Sequence, residues 1–286
     1  MTPDEYCSRR AAESGSSFYY SFRLLPPPRR SAITALYAYC REVDDVVDEV
    51  SDPNLARVKL AWWRTEVDAI FTGSAQHPVA IALAKAVDRY GITRANLQTV
   101  IDGMQMDLEK VRYVDFTELE TYCDHVAGVV GLMSAAIFGY EDASTLVYAR
   151  KLGIAFQLTN IIRDVKEDAA LGRVYFPEED LAQFGLSADD FLKDAGKRLD
   201  RPRLGALLSF EAKRAREYYK SGTELIPLIH RDSRAALWVM VTIYRRLLER
   251  IAKSNYDVLN RRIRLSAAEK FAILARGVLK SVFRTV

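Results

Sequence analysis

Two stretches of the chain place carboxylates four residues apart beside an arginine. In Tyr37-Ala-Tyr-Cys-Arg41-Glu-Val-Asp44-Asp45-Val-Val-Asp48, residues Tyr37, Arg41, Asp44 and Asp48 are spaced four, three and four. In Gln157-Leu-Thr-Asn160-Ile-Ile-Arg163-Asp164-Val-Lys-Glu-Asp168, residues Gln157, Asn160, Asp164 and Asp168 are spaced three, four and four. On a helix, each set occupies one face. Carboxylates at i and i+4 repel each other unless a cation lies nearby, so each pair reads as half of a metal site. A hard divalent ion, Mg²⁺ or alternatively Mn²⁺, takes oxygen ligands, keeps several waters and bridges protein carboxylates to substrate phosphates. Arg41 and Arg163 are the candidate phosphate partners. One such pair alone would read as a solvated acidic face. The second is set among apolar residues, Gly153-Ile-Ala-Phe156 and Ile161-Ile162, so it reads as facing inward, where carboxylates need cations.

Other chemistries find little support. The residues three before His77, His125 and His230 are Ser74, Tyr122 and Pro227, so the Glu-x-x-His of a di-iron bundle is missing. Those histidines also lack nucleophile partners at catalytic spacing. Cys7, Cys40 and Cys123 form no Cys-x-x-Cys pair, which excludes a zinc knuckle or a disulfide scaffold and fits a reducing compartment. No Gly-x-Gly-x-x-Gly run is present, and NADPH is not expected.

The elements that position these residues read as helices. The chain has 286 residues and 9 prolines, with none between Pro78 and Pro177 or after Pro227, and such tracts favour helix. Apolar stripes recur at helical spacing: Ile33, Leu36, Tyr37 and Cys40; Val79, Leu83, Ala86 and Tyr90; Leu237, Met240, Val241, Tyr244 and Leu248. Turns fall at Ser51-Asp52-Pro53-Asn54, Thr72-Gly73-Ser74, Tyr90-Gly91-Ile92-Thr93 and Ala169-Ala170-Leu171-Gly172. The expected fold is all-α, a single domain over 1–286 with helices around a central cavity. The polar start carries no secretion signal. The longest uncharged run, Val126 to Tyr140, is shorter than the roughly 20 residues of a membrane span, so the expected location is cytoplasmic.

Tyr37-Ala-Tyr-Cys-Arg41-Glu-Val-Asp44-Asp45-Val-Val-Asp48, Tyr122-Cys-Asp-His-Val-Ala-Gly128-Val-Val-Gly131, Gln157 to Asp168 and Gly172-Arg173-Val-Tyr175-Phe-Pro177 together resemble the squalene/phytoene synthase family. The resemblance covers nearly the whole chain. It implies an isoprenoid-synthase bundle that joins two prenyl diphosphates head to head. It also implies that Asp44, Asp48, Asp164 and Asp168 hold Mg²⁺, and that Arg41, Gln157, Asn160 and Arg163 contact diphosphate or metal. Tyr37, Tyr122, Tyr175 and Tyr244 match aromatic positions at the reacting centre. Asn255-Tyr256-Asp257-Val258 before Arg261-Arg262 resembles the family's late diphosphate-binding arginine, with Arg262 preferred.

Near the start, Ser14-Gly15-Ser16-Ser17-Phe18-Tyr19-Tyr20 lacks the basic residue that usually precedes Ser-Phe in this family. Ser17 and Phe18 remain the substrate-binding positions there. This form is most similar to bacterial presqualene diphosphate synthases of the hopanoid pathway. The implied reaction is condensation of two farnesyl diphosphates to presqualene diphosphate with release of pyrophosphate. Phytoene synthesis from two geranylgeranyl diphosphates and squalene or dehydrosqualene synthesis are the nearest alternatives, and a non-catalytic prenyl-lipid-binding or assembly factor is the alternative of another class.

Charge is uneven along the chain. Residues 1–200 carry 22 Lys/Arg and 31 Asp/Glu, whereas residues 201–286 carry 19 and 7. No nucleic-acid-binding motif accompanies the basic end, so nucleic acid is not an expected partner. In Glu269 to Val286, Phe271, Leu274, Val278 and Val282 share a helical face and Arg276, Lys280 and Arg284 another. Docking of this segment onto the bundle and peripheral contact with the inner face of an anionic membrane are both open.

Overall fold

The computed structural model of the protein describes residues 1–15, 17–50, 52–109, 112–192 and 199–283. Its helices in chain order are α1 (Pro3–Glu13), α2 (Ser17–Phe22), α3 (Pro27–Glu49), α4 (Pro53–Thr72), α5 (Pro78–Tyr90), α6 (Arg94–Glu109), α7 (Phe116–Cys123) and α8 (Val129–Phe138). They continue as α9 (Thr145–Arg163), α10 (Val165–Ala170), α11 (Glu178–Gln183), α12 (Ala188–Leu192), α13 (Arg201–Gly222), α14 (Leu225–Leu228), α15 (Arg231–Lys253) and α16 (Ala267–Phe283). No strand forms among the described residues, and Tyr140 and Ile229 make only an isolated antiparallel bridge.

Proline and glycine delimit the elements. Proline stands in the first turn of α1, α3, α4, α5 and α13, where its missing N–H is not needed. Gly73 and Gly91 end α4 and α5 in the left-handed conformation, with φ of 72° and 66°. At the start of α1, the Thr2 hydroxyl accepts from the Glu5 N–H while the Glu5 carboxylate accepts from that of Thr2.

The core is assembled around α3 and α9. Helix α9 packs on α13, α8 and the π-helical turn Asp124–Gly128, while α3 packs on α1, α5 and α6. Leu152, Ile154, Leu158, Ile161 and Ile162 of α9 are all buried. Each such side chain contributes about 1.5–3 kcal/mol relative to exposure. The backbones of α9 and the preceding hairpin helix approach closely at glycine. A Cβ on Gly131 would lie 2.3 Å from the Ala149 carbonyl oxygen, and one on Gly153 would lie 2.2 Å from that of Ala127.

The π-turn joins α7 to α8 in a continuous helix, Phe116–Phe138, that is long and apolar enough to cross a membrane. In the fold it is a central element, with Leu119, Tyr122, Cys123, Val129, Met133, Ile137 and Phe138 buried.

Two local expectations are revised. The second acidic stretch is not one uninterrupted helix, because α9 ends at Arg163 and α10 begins at Val165. Backbone bonds from Asp164 N–H to Asn160 C=O and from Asp168 N–H to Asp164 C=O, both 2.8 Å, carry the i+4 spacing across the break. On α16, the buried positions are Ile273 and Gly277. Phe271, Val278 and Val282 of the expected apolar face are exposed, and Arg284 lies outside the described residues.

Candidate active site

An apolar cavity of about 190 Å³ is enclosed by α2, α3, the π-turn, α8, α9, α14 and α15. Phe18, Phe22, Leu36, Phe138, Phe156 and Met240 are among its walls. A space of about 190 Å³ has room for roughly six waters at about 30 Å³ each, but these walls offer them almost no hydrogen-bond partners. The space suits a hydrocarbon tail. One end is polar, where Tyr37, Gln157 and Asn160 also line the cavity. Tyr37 is one helical turn from Arg41, and Asn160 is one turn from Asp164, so the cavity opens toward both acidic motifs.

The carboxylates are met by arginines of the same motifs and by two from distant parts of the chain. Arg41 donates to Asp44 and, through its other terminal nitrogen, to Asp45, each at 2.5 Å. Arg173 donates to Asp48 at 2.6 Å and to the Val47 carbonyl at 2.8 Å. Asp164 accepts from the Nε of Arg163 at 2.7 Å and from the Nε of Arg262 at 3.0 Å. Arg261 instead faces Asp257 at 3.6 Å and is 70% exposed, so Arg262 is the one that reaches the acidic helix. Asp45, the middle carboxylate of its motif, is buried and turns away from Asp48 to hold Arg10 of α1 as well as Arg41.

Asp107 of α6 completes this cluster and had no assigned role in the sequence reading. It accepts from the Tyr175 hydroxyl at 2.8 Å and from the Tyr122 hydroxyl at 3.1 Å. The two tyrosine rings stack at 5.0 Å between centroids. A signal was present: Leu97, Val100 and Met104 form the buried stripe of α6, and Asp107 puts a carboxylate at its next position. Arg173, within the Gly172-to-Pro177 motif, is a second such residue, and its partner Asp48 lies 125 residues away.

Electrostatics mark these groups as crowded. Burial, followed by the neighbouring Asp48 carboxylate, pushes the Asp44 carboxyl up to about 7. Burial pushes Asp107 up to about 6, against the opposing pull of Arg173 and the two tyrosine hydroxyls. Asp168 is held well above the usual carboxylate range by burial and then by Asp164 and Asp107. The two motifs therefore share one field, in which Asp44, Asp48, Asp107, Asp164 and Asp168 compete for the available cations.

Two aromatic rings of the cavity wall, Phe18 and Phe156, pack with Tyr244. Tyr244 stacks on Phe18 at 4.6 Å with the planes 7° apart, and Phe156 lies 4.8 Å from Tyr244 and 5.4 Å from Phe18. The Tyr37 hydroxyl donates to Ser14 at 3.0 Å. Asn160 donates to Gln157 at 3.2 Å, which leaves its own buried Oδ1 without a partner. The Arg41 Nε and the Glu167 Oε2 are also buried and unpaired. Of the expected site residues, Phe18, Tyr37, Gln157 and Asn160 line the cavity, while Arg41, Asp44, Asp48, Arg163, Asp164, Asp168 and Arg262 belong to the charged cluster, with Tyr122 and Tyr175 on Asp107 and Tyr244 stacked on Phe18. The side chain of Ser17 lies outside the described residues.

The profile of the squalene/phytoene synthase family matches residues 11–269. The phytoene synthase of Mycobacterium tuberculosis is 41% identical over 280 residues, covering 97% of this chain and 90% of its own. That of Arthrospira platensis is 36% identical over 290 residues, with coverage of 97% and 93%. A crystal structure of a dehydrosqualene synthase in complex with ligand has a TM-score of 0.88 at 31% identity and covers 99% of this chain and 97% of its own. Squalene synthase HpnC from Alicyclobacillus acidocaldarius has a TM-score of 0.77 at 26% identity, with coverage of 89% and 94%. On its motifs, its fold and these relatives, the chain belongs to the squalene/phytoene synthase family of prenyltransferases, which condense prenyl diphosphates head to head.

Proposed function

We propose that the protein condenses two farnesyl diphosphates to presqualene diphosphate, releasing pyrophosphate, as a single catalytic domain over 1–286. The observation that carries the reading is the meeting of two carboxylate–arginine motifs at the polar end of an otherwise apolar, aromatic-walled cavity. The diphosphates take the charged end and a prenyl tail takes the cavity.

The family uses a divalent metal, and the donors here fit one. Among the described residues, no three Asp, Glu, His or Cys side chains are grouped to hold an ion unaided. Carboxylates in pairs, with the orphaned Asn160 Oδ1 nearby, suit a hard ion that completes its shell with substrate and water. Asp44, Asp48, Asp164 and Asp168 would hold Mg²⁺, with Mn²⁺ as the alternative. When bound, the metal supplies positive charge that stabilises the departing pyrophosphate.

The chain's own groups do the rest. Arg41, Arg163 and Arg262 bind and orient diphosphate, with Gln157 and Asn160 beside them and Ser17 at the start of α2. As the allylic C–O bond breaks, its electron pair leaves with pyrophosphate. The double bond of the second substrate attacks the allylic carbon, and loss of one proton closes the cyclopropane ring. Tyr37, Tyr244, Phe18 and Phe156 present ring faces to the developing cation, each contact stabilising it by roughly 0.5–2 kcal/mol. Tyr122 and Tyr175, tethered to Asp107, wall the charged side. The apolar cavity excludes water that would otherwise capture the cation. The reaction ends at presqualene diphosphate and needs no NADPH. The protein is placed in the cytoplasm, in peripheral contact with the inner membrane face.

The names of the Mycobacterium tuberculosis and Arthrospira platensis relatives favour a second reading, in which two geranylgeranyl diphosphates give phytoene. Incubation with Mg²⁺ and either farnesyl or geranylgeranyl diphosphate, with and without NADPH, separates these by product mass. The Asp44→Asn and Asp164→Asn variants should lose metal-dependent pyrophosphate release. Unchanged turnover in both would sink the metal mechanism, and no turnover by the wild type with either substrate would leave a binding or assembly role instead.

A further inference from the structure

The arginines of the two acidic motifs meet their carboxylates differently. A guanidinium beside a single carboxylate ordinarily closes on it through two parallel bonds. Arg163 does so, giving Asp164 both its Nε and a terminal nitrogen. Arg41 does not. Its fork is split, one terminal nitrogen going to Asp44 Oδ2 and the other to Asp45 Oδ1, each at 2.5 Å. Asp44 Oδ1 is thereby left outside the pair, and the Arg41 Nε is buried without a partner.

The fork stays split because Asp45 is itself held. Asp44 and Asp45 lie three and four residues after Arg41 on α3, both within its reach but about 100° apart around the helix. Asp44 shares its face with Asp48. Asp45 lies on the side where α1 packs, and its Oδ2 accepts from Arg10 of that helix. Arg10 is fixed in turn: its Nε donates to Glu42 at 2.8 Å, and the same Glu42 oxygen accepts from the Tyr6 hydroxyl at 2.9 Å. Each Asp45 oxygen thus carries one guanidinium, and with the side chain only 10% exposed, losing either pair would leave buried charge uncompensated.

We propose that Asp45 is a positioning residue: with Arg10 behind it, it draws one arm of Arg41 aside, so that the guanidinium does not close on Asp44. The proposal rests on the preceding reading, in which Arg41 binds diphosphate and Asp44 holds the metal. The Asp44 oxygen outside the pair and the Arg41 Nε are then the groups presented to metal and diphosphate. Without Asp45, Arg41 takes up on Asp44 the two-bond pairing that Arg163 has with Asp164, which a metal ion would have to displace.

The test measures binding as well as turnover. Asp45→Asn and Arg10→Met are made singly and together, and calorimetry follows the binding of Mg²⁺ and inorganic pyrophosphate to each full-length protein. Asp45→Asn should need roughly tenfold more Mg²⁺ for half-saturation in the presence of pyrophosphate, the scale of one charge-assisted bond. Its turnover of prenyl diphosphate should fall at limiting Mg²⁺ and approach the wild-type value in excess Mg²⁺. Arg10→Met should shift the Mg²⁺ dependence the same way, and the double variant no further than Asp45→Asn alone, since both act through Arg41. Circular dichroism and thermal melts report folding, and a purely structural role would lower Tm without moving the Mg²⁺ dependence. A wild-type Mg²⁺ dependence in Asp45→Asn would overturn the proposal, as would additive effects in the double variant. Should Asp45→Asn fail to fold, Arg10→Met decides by the same measure. If the Mg²⁺ shifts follow the prediction but the wild type turns over no prenyl diphosphate, the positioning role stands and the catalytic reading falls. A wild type that takes up no Mg²⁺ with pyrophosphate overturns both.

Discussion

Tyr175 donates its hydroxyl to Asp107 at 2.8 Å, across 68 residues of sequence, and so ties the loop after α10 to the end of α6. Tyr122 makes a second bond to the same carboxylate. The pair of bonds fixes two stacked rings at the margin of the acidic cluster, and it stabilises a carboxylate that burial pushes up to about 6.

Asp107→Asn should keep the fold and lower kcat/KM for pyrophosphate release at least tenfold, about 1.4 kcal/mol of transition-state stabilisation. An amide has one acceptor oxygen where the carboxylate has two, so one tyrosine loses its partner. Steady-state kinetics on a variant with wild-type circular dichroism checks this, and full activity would remove Asp107 from the site.

Arg262→Ala and Arg261→Ala form a matched pair. Arg262 reaches Asp164 at 3.0 Å, whereas Arg261 is mostly exposed beside Asp257. A charge-assisted bond contributes about 1.5–3 kcal/mol. Loss of Arg262 should therefore raise the KM for the prenyl diphosphate by an order of magnitude or more, with Arg261→Ala close to wild type. The reverse ranking would reassign the late arginine.

Two glycine substitutions should move stability in opposite directions. Gly153→Ala forces a Cβ to 2.2 Å from the Ala127 carbonyl oxygen and should cost roughly 1–3 kcal/mol. Gly205→Ala, within α13, meets nothing within 4 Å and should stabilise by roughly 0.4–1 kcal/mol by restricting the unfolded chain. Thermal melts of the two variants report both signs.

Glu211 supplies a pH test away from the cavity. Its carboxylate accepts from Arg214 at 2.8 and 2.9 Å, yet burial pushes its carboxyl up to about 7 from an ordinary value of 4.5. Between these values the folded protein keeps a proton that the unfolded chain releases. The stability this proton contributes is full below 4.5 and is lost as the pH rises through about 7. Glu211→Gln lacks this loss, so its Tm should improve relative to wild type between pH 5 and pH 8. A difference that stays flat, or that falls, contradicts the burial effect.

The sequence by itself determined the helical class, the element punctuation and the two acidic motifs. These are local properties: the 3.6-residue period places Asp44 with Asp48, and the bonds from Asn160 through Asp164 to Asp168 preserve the second spacing even where the helix breaks. Proline in first turns and left-handed Gly73 and Gly91 likewise act within a few residues of themselves. Only the tertiary structure decided which cation meets which carboxylate. Arg173 on Asp48, Arg262 on Asp164 and two tyrosines on Asp107 join residues far apart in the chain, and no periodicity encodes such pairings. It also decided which side of α16 is buried. Ile273 and Gly277 face the bundle, Gly277 in close approach to Val239, leaving Phe271 and Val282 outside.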